Sequence, residues 1–349
     1  MNAIPPVPKQ TLGRFRRSEL GVVAVIAIIA IAVGFAVRAP AEPDLEMIDH
    51  ALFTRTVDEM RGGLGYYEAM ESALGVVYGP ERAELTETVR GFRPPPTFLL
   101  WRLLPSDTAM WVVFVATTIL AGVVASRLAH LPLTGVLVTV YLLSLGMLDG
   151  GGVWTAQFAT TELWAVPAML GAALAVTKER WWLAAGLGVL AFAIRETAAP
   201  LLLVGAVLAV AGRIPRKPWL GALAVAVGLY ALHVSLAAPF IDPGVAEALP
   251  SRGEFPGSVL RIVGLGLPAG AIVGSFLWFL AVRRVLRMRN GLLLSAYLWL
   301  PAIGLVLERH YWGIMVVPFT LVWGIDEVVE LAGKARARIG TTEPAPATR

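Results

Sequence analysis

The chain has 349 residues, of which 57% are hydrophobic and only 15% charged, and it contains no cysteine. Its mean hydropathy of +0.70 is far from the soluble average. This composition predicts an integral membrane protein, and the lack of cysteine excludes disulfides, a thiolate nucleophile and a sulfur-ligated metal. The pI of about 9.6 does not imply a nucleic-acid partner, because in membrane proteins the placement of basic residues matters more than their sum.

The first apolar run covers residues 20–37 and follows a basic segment, residues 1–19. A signal peptide would have the same basic start and an A-x-A cleavage site, here Ala39-Pro40-Ala41. The apolar core is longer than a usual signal-peptide core, and many more apolar runs follow. The pattern therefore favours an uncleaved anchor helix.

Further apolar runs follow the anchor. A helix that crosses a bilayer needs roughly 20 apolar residues, and these runs reach or approach that length. They cover residues 108–127, 131–148, 159–177, 181–194, 198–212, 218–238, 258–282, 291–307 and 312–329. With the anchor this predicts an all-α polytopic protein of about ten spans. We expect residues 1–349 to form a single membrane domain.

Basic residues set the predicted orientation. The four lysines fall on one side of the predicted membrane, together with an arginine cluster at residues 283–289. Because such residues accumulate in cytoplasmic segments, residues 1–19 and the tail, residues 333–349, are predicted to be cytoplasmic. Most of the 25 Asp and Glu residues fall at or beyond the outer face. Any chemistry is therefore expected to face outward.

The first outer loop, residues 38–107, is roughly 70 residues long, too long to be a mere connection. Apolar residues at helical spacing predict an amphipathic helix against the outer membrane face, ending at Gly62 and Gly63. Most acids of this helix are interpreted as solvated. Asp49, at the start of the helix, is a candidate general base because partial desolvation there would raise its basicity. Asp44 is the alternative.

The loop ends in "RGFRPPPTF", where Arg93 precedes residues 94–96, three prolines. These prolines predict a stiff, extended path that holds Arg93 in place. An equally open interpretation is that they only end a loop helix before the next span. A guanidinium at an outer membrane surface suits a phosphate.

Several polar residues fall near the predicted outer ends of spans: Gln157, Glu162, Arg195, Arg309 and His310. Charge at membrane depth is costly and indicates function, although structural ion pairs such as Arg195 with Glu162 are the alternative. The short run 181–194 before Arg195 predicts a water-filled cavity in the outer leaflet.

The sequence contains no metalloprotease, Walker A or nucleophile-elbow motif. Its four histidines are scattered, so a histidine metal site is not predicted. Tyr66 and Tyr67 are typical of an interfacial aromatic belt, and an aromatic near a sugar site can also stack on its ring.

The order of these features resembles the GT-C superfamily of integral membrane glycosyltransferases, above all the bacterial polyprenyl-phosphomannose type. The motifs are an anchor helix, a long first outer loop with Asp49 near its start, Gly62-Gly63 before Tyr66-Tyr67, and "FRPPPTF". Further matches are "TAQFATTELWAVPAML", "AIRETAAPLLL" and "ERHYWGIMVVPF". The chain departs from the superfamily in being short and in lacking a soluble C-terminal domain.

The resemblance implies an inverting enzyme of the bacterial inner membrane. It would move a sugar, mannose or arabinose, from a polyprenyl-phosphate donor to an envelope glycan or glycolipid on the outer face. Asp49 would be the base. Arg195, Arg309, His310 and Arg93 would contact the lipid phosphate.

Glu162, Gln157, Tyr66 and Tyr67 are further candidate substrate-binding residues. The donor, the acceptor and membrane lipids are the expected partners. No cofactor is implied; a divalent cation is compatible with the reaction, but no ligand cluster supports one. The alternatives are a transporter or flippase for a lipid-linked substrate and a non-catalytic membrane subunit of an envelope assembly.

Overall fold

The computed structural model describes residues 46–78, 92–129, 131–147, 159, 161–241, 268–299 and 315–340. Throughout these ranges the regular structure is helical, with no strand. The predicted all-α class is thus confirmed for the described residues. The anchor run at residues 20–37 lies outside them.

Twelve α-helices are described. They are α1 Glu46–Arg61, α2 Tyr66–Tyr78, α3 Pro96–Leu103, α4 Asp107–Ala129, α5 Pro132–Met147, α6 Thr161–Thr177, α7 Trp181–Ile194, α8 Pro200–Val210, α9 Arg216–Ala237, α10 Pro268–Leu286, α11 Gly291–Leu294 and α12 Val317–Gly340. Short 3₁₀ turns follow α7, α9 and α11, at Glu196–Ala198, Ala238–Phe240 and Ser295–Trp299.

Two helical segments are long and apolar enough to cross a membrane, Asp107–Ala129 and Arg216–Phe240. Four shorter apolar helices accompany them, at Pro132–Leu143, Thr161–Thr177, Trp181–Ile194 and Glu196–Val210. All six coincide with predicted spans. The total of about ten spans stays a prediction.

The predicted span at residues 291–307 is not one continuous helix in its described part. Helix α11 is only four residues long and passes into the 3₁₀ turn Ser295–Trp299. Asn290, just before α11, adopts a left-handed conformation with φ of 64°. Hydropathy alone does not predict this break, because the residues of α11 and those of the 3₁₀ turn belong to one apolar run.

Helix α1 is amphipathic and ends where predicted, since Gly62 and Gly63 form a turn and Gly63 has φ of +112°. Its apolar face, however, does not lie against a membrane over the described residues. Phe53 and Met60 are fully buried, and Thr56 Oγ1 contacts the sulfur of Met70 in α2 at 3.6 Å. Neighbouring loop helices cover this face because they are amphipathic themselves, which one helix's own sequence pattern does not reveal.

A chain of aromatic rings joins the outer loop to the long helices. Phe53 in α1 packs edge-on against Phe98 in α3 with centroids 5.3 Å apart. Phe98 then contacts Trp101 at 5.2 Å, and Trp101 contacts Trp164 in α6 at 5.6 Å. Such pairs add about 0.5–1.5 kcal/mol each beyond burial. The described helices of the loop are therefore part of the packed core.

The proline step passes directly into a helix. Pro95 is already helical, with φ −70° and ψ −20°, and Pro96 is the first residue of α3. Proline is favoured there because the first helical N–H has no intrahelical partner to lose. The prolines therefore start α3, and they fix the position of Arg93 just before this helix.

Arginines of the predicted cytoplasmic cluster at residues 283–289 meet acidic residues at one end of the fold. Arg284 in α10 pairs with Asp326 in α12 at 2.7 Å, and Arg287 pairs with Glu327. At the same end Arg289 contacts Glu179 at 2.7 Å. These contacts bring the groups together, and their placement on the cytoplasmic side stays a prediction.

Helices α4 and α5 approach so closely that a side chain at Gly122 has no room. A Cβ atom there would lie 1.9 Å from Thr139 Oγ1 and 2.6 Å from the Gly135 carbonyl oxygen. We expect Gly122→Ala to lower the free energy of unfolding by about 1–3 kcal/mol through overpacking. Thermal unfolding of the purified protein in detergent measures this.

Gly186→Ala is the matched control, since Gly186 also lies within a helix but a Cβ there meets nothing within 4 Å. Its melting temperature should stay unchanged or rise slightly, because alanine favours a helix over glycine. Equal effects of the two substitutions would contradict the close approach.

Candidate functional site

The candidate site is built around the break between α7 and α8. Helix α7 ends at Ile194, Arg195 is extended with φ −148° and ψ 115°, and α8 restarts at Pro200. Pro200 has no N–H and therefore starts a new helix more readily than it continues one. The break places Arg195 between α7 and α8, two apolar helices of 14 and 11 residues.

Arg195 is fully buried, with 0% of its side chain exposed. Its Nη2 atom lies 2.7 Å from Glu162 Oε1, and its Nη1 atom lies 3.3 Å from Glu196 Oε1. Glu162, in the first turn of α6, is itself only 7% exposed and accepts a hydrogen bond from Thr161 Oγ1 at 3.3 Å. A buried guanidinium thus contacts two carboxylates. The structural ion pair of Arg195 with Glu162, which the sequence left open as an alternative, is present.

Glu196 is the outer member of this cluster. Its side chain is 30% exposed, whereas Arg195 and Glu162 are nearly inaccessible. Arg93 and His233 lie close enough to interact electrostatically with its carboxylate. The proline step of the outer loop therefore brings a second, half-buried guanidinium within electrostatic range of the same carboxylate.

Tyr66 holds the proline step in place. Its hydroxyl donates a hydrogen bond to the carbonyl oxygen of Arg93, and its ring packs against Phe98 with centroids 5.1 Å apart. Burial raises the pKa of the Tyr66 phenol well above its ordinary value, and the neighbouring Tyr67 adds to this. The phenol therefore stays protonated and keeps its donor role at physiological pH.

Tyr67 connects the outer loop to the end of α9. Its hydroxyl lies 3.0 Å from Nδ1 of His233 and 3.3 Å from the His233 carbonyl oxygen, to which it donates. Burial raises the pKa of the Tyr67 phenol as well. The imidazole of His233 also hydrogen-bonds to the main chain of Phe92, next to Arg93.

Aromatic rings form one wall beside these polar groups. Tyr67 stacks on Phe240 with an interplanar angle of 15° and centroids 6.1 Å apart. Phe92 lies 6.1 Å from both rings. A flat, partly polar wall next to a guanidinium and a carboxylate suits a ligand that carries a ring and an anionic group.

Five of the predicted site residues come together here: Glu162, Arg195, Arg93, Tyr66 and Tyr67. Asp44, Gln157, Arg309 and His310 lie outside the described residues. Asp49 lies in the first turn of α1, but its side chain is not described. The described chain resumes at Met315, whose sulfur accepts a hydrogen bond from Thr197 in the break at 3.8 Å.

His233 belongs to the cluster but was not among the predicted site residues. It stands alone among the apolar residues of α9, and a single histidine on such a helix is more often a satisfied core residue than a functional one. The usable signal was its position near the predicted outer end of a span, where the other polar candidates also fall.

No group of three or more His, Asp or Glu side chains in the described ranges could hold a metal ion. Acidic and basic groups alternate in the cluster instead. The carboxylates of Glu162 and Glu196 both contact the Arg195 guanidinium. Such an arrangement can bind an anion through Arg93 or position a hydroxyl through Glu196.

No protein-family model, curated protein or solved structure matches this chain. The resemblance to GT-C glycosyltransferases therefore rests on the order of the sequence motifs.

Proposed function

We propose that this chain is an integral membrane glycosyltransferase that moves a sugar from a polyprenyl-phosphate donor to an acceptor hydroxyl on the outer face of a bacterial inner membrane. The observation that carries the proposal is the junction of Arg93 with Glu196 at the break between α7 and α8. The outer loop brings one guanidinium and an aromatic wall to the charged cluster at the break between two apolar helices. A lipid donor needs this combination, because its chain stays in the bilayer while its head group needs polar contacts.

The acceptor oxygen would attack the anomeric carbon as the bond from that carbon to the lipid phosphate oxygen breaks, with inversion. The phosphate leaves with the bonding electrons, and a base takes the hydroxyl proton. We assign the base to Asp49, with Asp44 as the alternative. Guanidinium groups stabilise the negative charge that develops on the departing phosphate.

The burial of Arg195 divides the roles of the arginines. Arg93 is only half-buried, so we assign it the direct phosphate contact, together with the predicted contacts Arg309 and His310. Arg195 is enclosed by Glu162 and Glu196. We assign it a positioning role, in which it holds the partly exposed Glu196 carboxylate in place.

The direct test incubates the purified chain with a panel of radiolabelled polyprenyl-phosphate sugars, including mannose and arabinose, and envelope-glycan acceptors. Label transfer by the chain alone is expected. A chain that transfers no label from any donor in the panel, yet is folded, would contradict the proposal and favour a non-catalytic subunit.

Arg93→Gln is expected to raise the donor KM about 10–100-fold, because a charge-assisted hydrogen bond contributes about 1.5–3 kcal/mol. Donor titrations at saturating acceptor measure this. Arg55→Gln is the control: Arg55 lies in the same loop but pairs with Glu59 at an exposed site. An unchanged donor KM in Arg93→Gln would contradict the phosphate contact.

A transporter for a lipid-linked substrate is the second candidate, favoured by the broken helix with a buried charge at Arg195. Transporters build substrate sites from such discontinuous helices. Proteoliposomes with a fluorescent polyprenyl-phosphate sugar and no acceptor separate the two. Protein-dependent movement of the lipid between leaflets, without label transfer in the panel assay, would favour the transporter.

A further inference from the structure

A groove of about 630 Å³ lies where α7 and α9 begin, at the opposite end of α7 from Arg195. Basic, tryptophan and proline residues dominate its lining. They are Glu179, Arg180, Trp181, Trp182, Leu183, Pro215, Arg216, Lys217 and Pro218. None of them belongs to the candidate site described above.

The groove carries a net positive charge. Its single acid, Glu179, is paired with Arg289 at 2.7 Å. Arg180 and Lys217 are exposed, and no carboxylate of the described ranges forms an ion pair with either. The cations are therefore available to an anionic ligand.

Arg216 is held at the groove by its own contacts. Its Nε atom donates to the Ala209 carbonyl oxygen at 3.2 Å and its Nη2 atom to the Val210 carbonyl oxygen at 3.3 Å. These bonds fix the guanidinium at the end of α8. One of the three cations is thus preorganised.

The surroundings of the groove are apolar on the side of the helices. Trp182, two residues after Arg180, is 68% exposed. Leu183 on α7 and Leu220 on α9 are exposed as well. Exposed indole rings next to basic residues are typical of the membrane interface, where the ring lies at the level of the head groups. A soluble anion would leave these apolar surfaces uncovered, whereas a lipid's acyl chains would cover them.

We propose that this groove binds the phosphate head group of an anionic membrane lipid, in the leaflet at the predicted cytoplasmic end. The inference rests on the membrane placement in the proposed function, but not on glycosyl transfer. Arg180, Arg216 and Lys217 bind the phosphate, and the exposed tryptophan and leucines contact the lipid's glycerol and upper acyl chains. Basic pockets between membrane helices on the cytoplasmic side bind anionic lipids in this way.

The test uses the purified full chain in a neutral detergent and titrates phosphatidylglycerol or phosphatidylcholine, with bound lipid counted by native mass spectrometry. Phosphatidylglycerol is expected to bind at least tenfold more tightly. The double variant Arg180→Gln/Lys217→Gln should weaken that binding roughly 25-fold, because each cation near a lipid surface contributes about fivefold. Arg102→Gln/Arg127→Gln loses the same charge at exposed sites elsewhere and should change binding less than about twofold.

Equal phosphatidylglycerol binding by the wild type and the Arg180→Gln/Lys217→Gln variant would overturn the proposal. So would equal losses in the two double variants, which would indicate attraction by net charge alone. Displacement of phosphatidylglycerol by inorganic phosphate at a similar concentration would instead indicate a soluble-anion site and overturn the lipid assignment.

Both variants change exposed side chains, and their melting temperatures without lipid establish that they fold. The readout needs neither donor nor acceptor. A failed lipid-binding test therefore refutes the groove alone, while failed label transfer refutes the glycosyltransferase alone.

Discussion

Replacing Arg195 with methionine is expected to lower the free energy of unfolding by about 3–5 kcal/mol. The substitution leaves Glu162, which is 7% exposed, as a buried charge without its cation at 2.7 Å. Thermal or denaturant unfolding in detergent measures the loss. Arg55→Gln is the control, because its ion pair with Glu59 is 45% exposed on the arginine side and contributes less than about 1 kcal/mol.

The double variant Arg195→Met/Glu162→Gln should recover part of that stability, because removing both charges also removes the cost of burying one alone. If the double variant is no more stable than Arg195→Met, the ion pair is not what stabilises the break.

The Arg195→Lys variant tests positioning separately from stability. It keeps a buried positive charge but loses the planar fork that can reach two carboxylates at once. At a temperature where it is fully folded, we expect a raised donor KM in the transfer assay. Wild-type kinetics in the folded Arg195→Lys variant would refute the positioning role and leave Arg195 with a structural role only.

Replacing Asp49 with asparagine is expected to lower label transfer about 10²–10⁴-fold, the usual contribution of a positioned general base. Asparagine has nearly the same shape but cannot accept the hydroxyl proton. Membrane insertion and the melting temperature should be unchanged. Label transfer under saturating donor and acceptor measures the effect.

Asp58→Asn is the matched control on the same helix. Its side chain is 63% exposed and pairs with Arg61 at 3.0 Å, so transfer should stay within about twofold of wild type. Asp44→Asn decides between the two candidate bases. More than half of normal turnover in Asp49→Asn would refute its assignment, and loss of transfer in Asp44→Asn alone would move the role there.

Local patterns were sufficient to predict several elements. The run from Trp181 to Ile194 is one apolar helix with the predicted bounds, and α1 ends at the predicted glycine pair. Both depend on the residues themselves, because an unbroken apolar run without proline favours a helix and glycine readily adopts the positive φ of a helix end. The basic residues assigned to one side include Arg284, which meets Asp326 in the structure.

Other features depend on contacts between distant segments. The apolar face of α1 is consistent with a bilayer or with a protein neighbour, and the packing of Phe53 on Phe98 decided for the protein. The pairing of Tyr67 with His233 joins residues 166 positions apart, and neither residue indicates the other.

By itself the sequence determined the helical, apolar character of the described segments and which of its residues are too polar for their surroundings. Only the tertiary structure decided which of those polar residues act together. Arg195 and Arg93 are equivalent as guanidiniums in the sequence. Packing encloses Arg195 between Glu162 and Glu196, while the hydrogen bond from Tyr66 holds the main chain of Arg93 beside the same cluster. Burial and pairing depend on the three-dimensional neighbours of a side chain, which the order of residues along the chain does not specify.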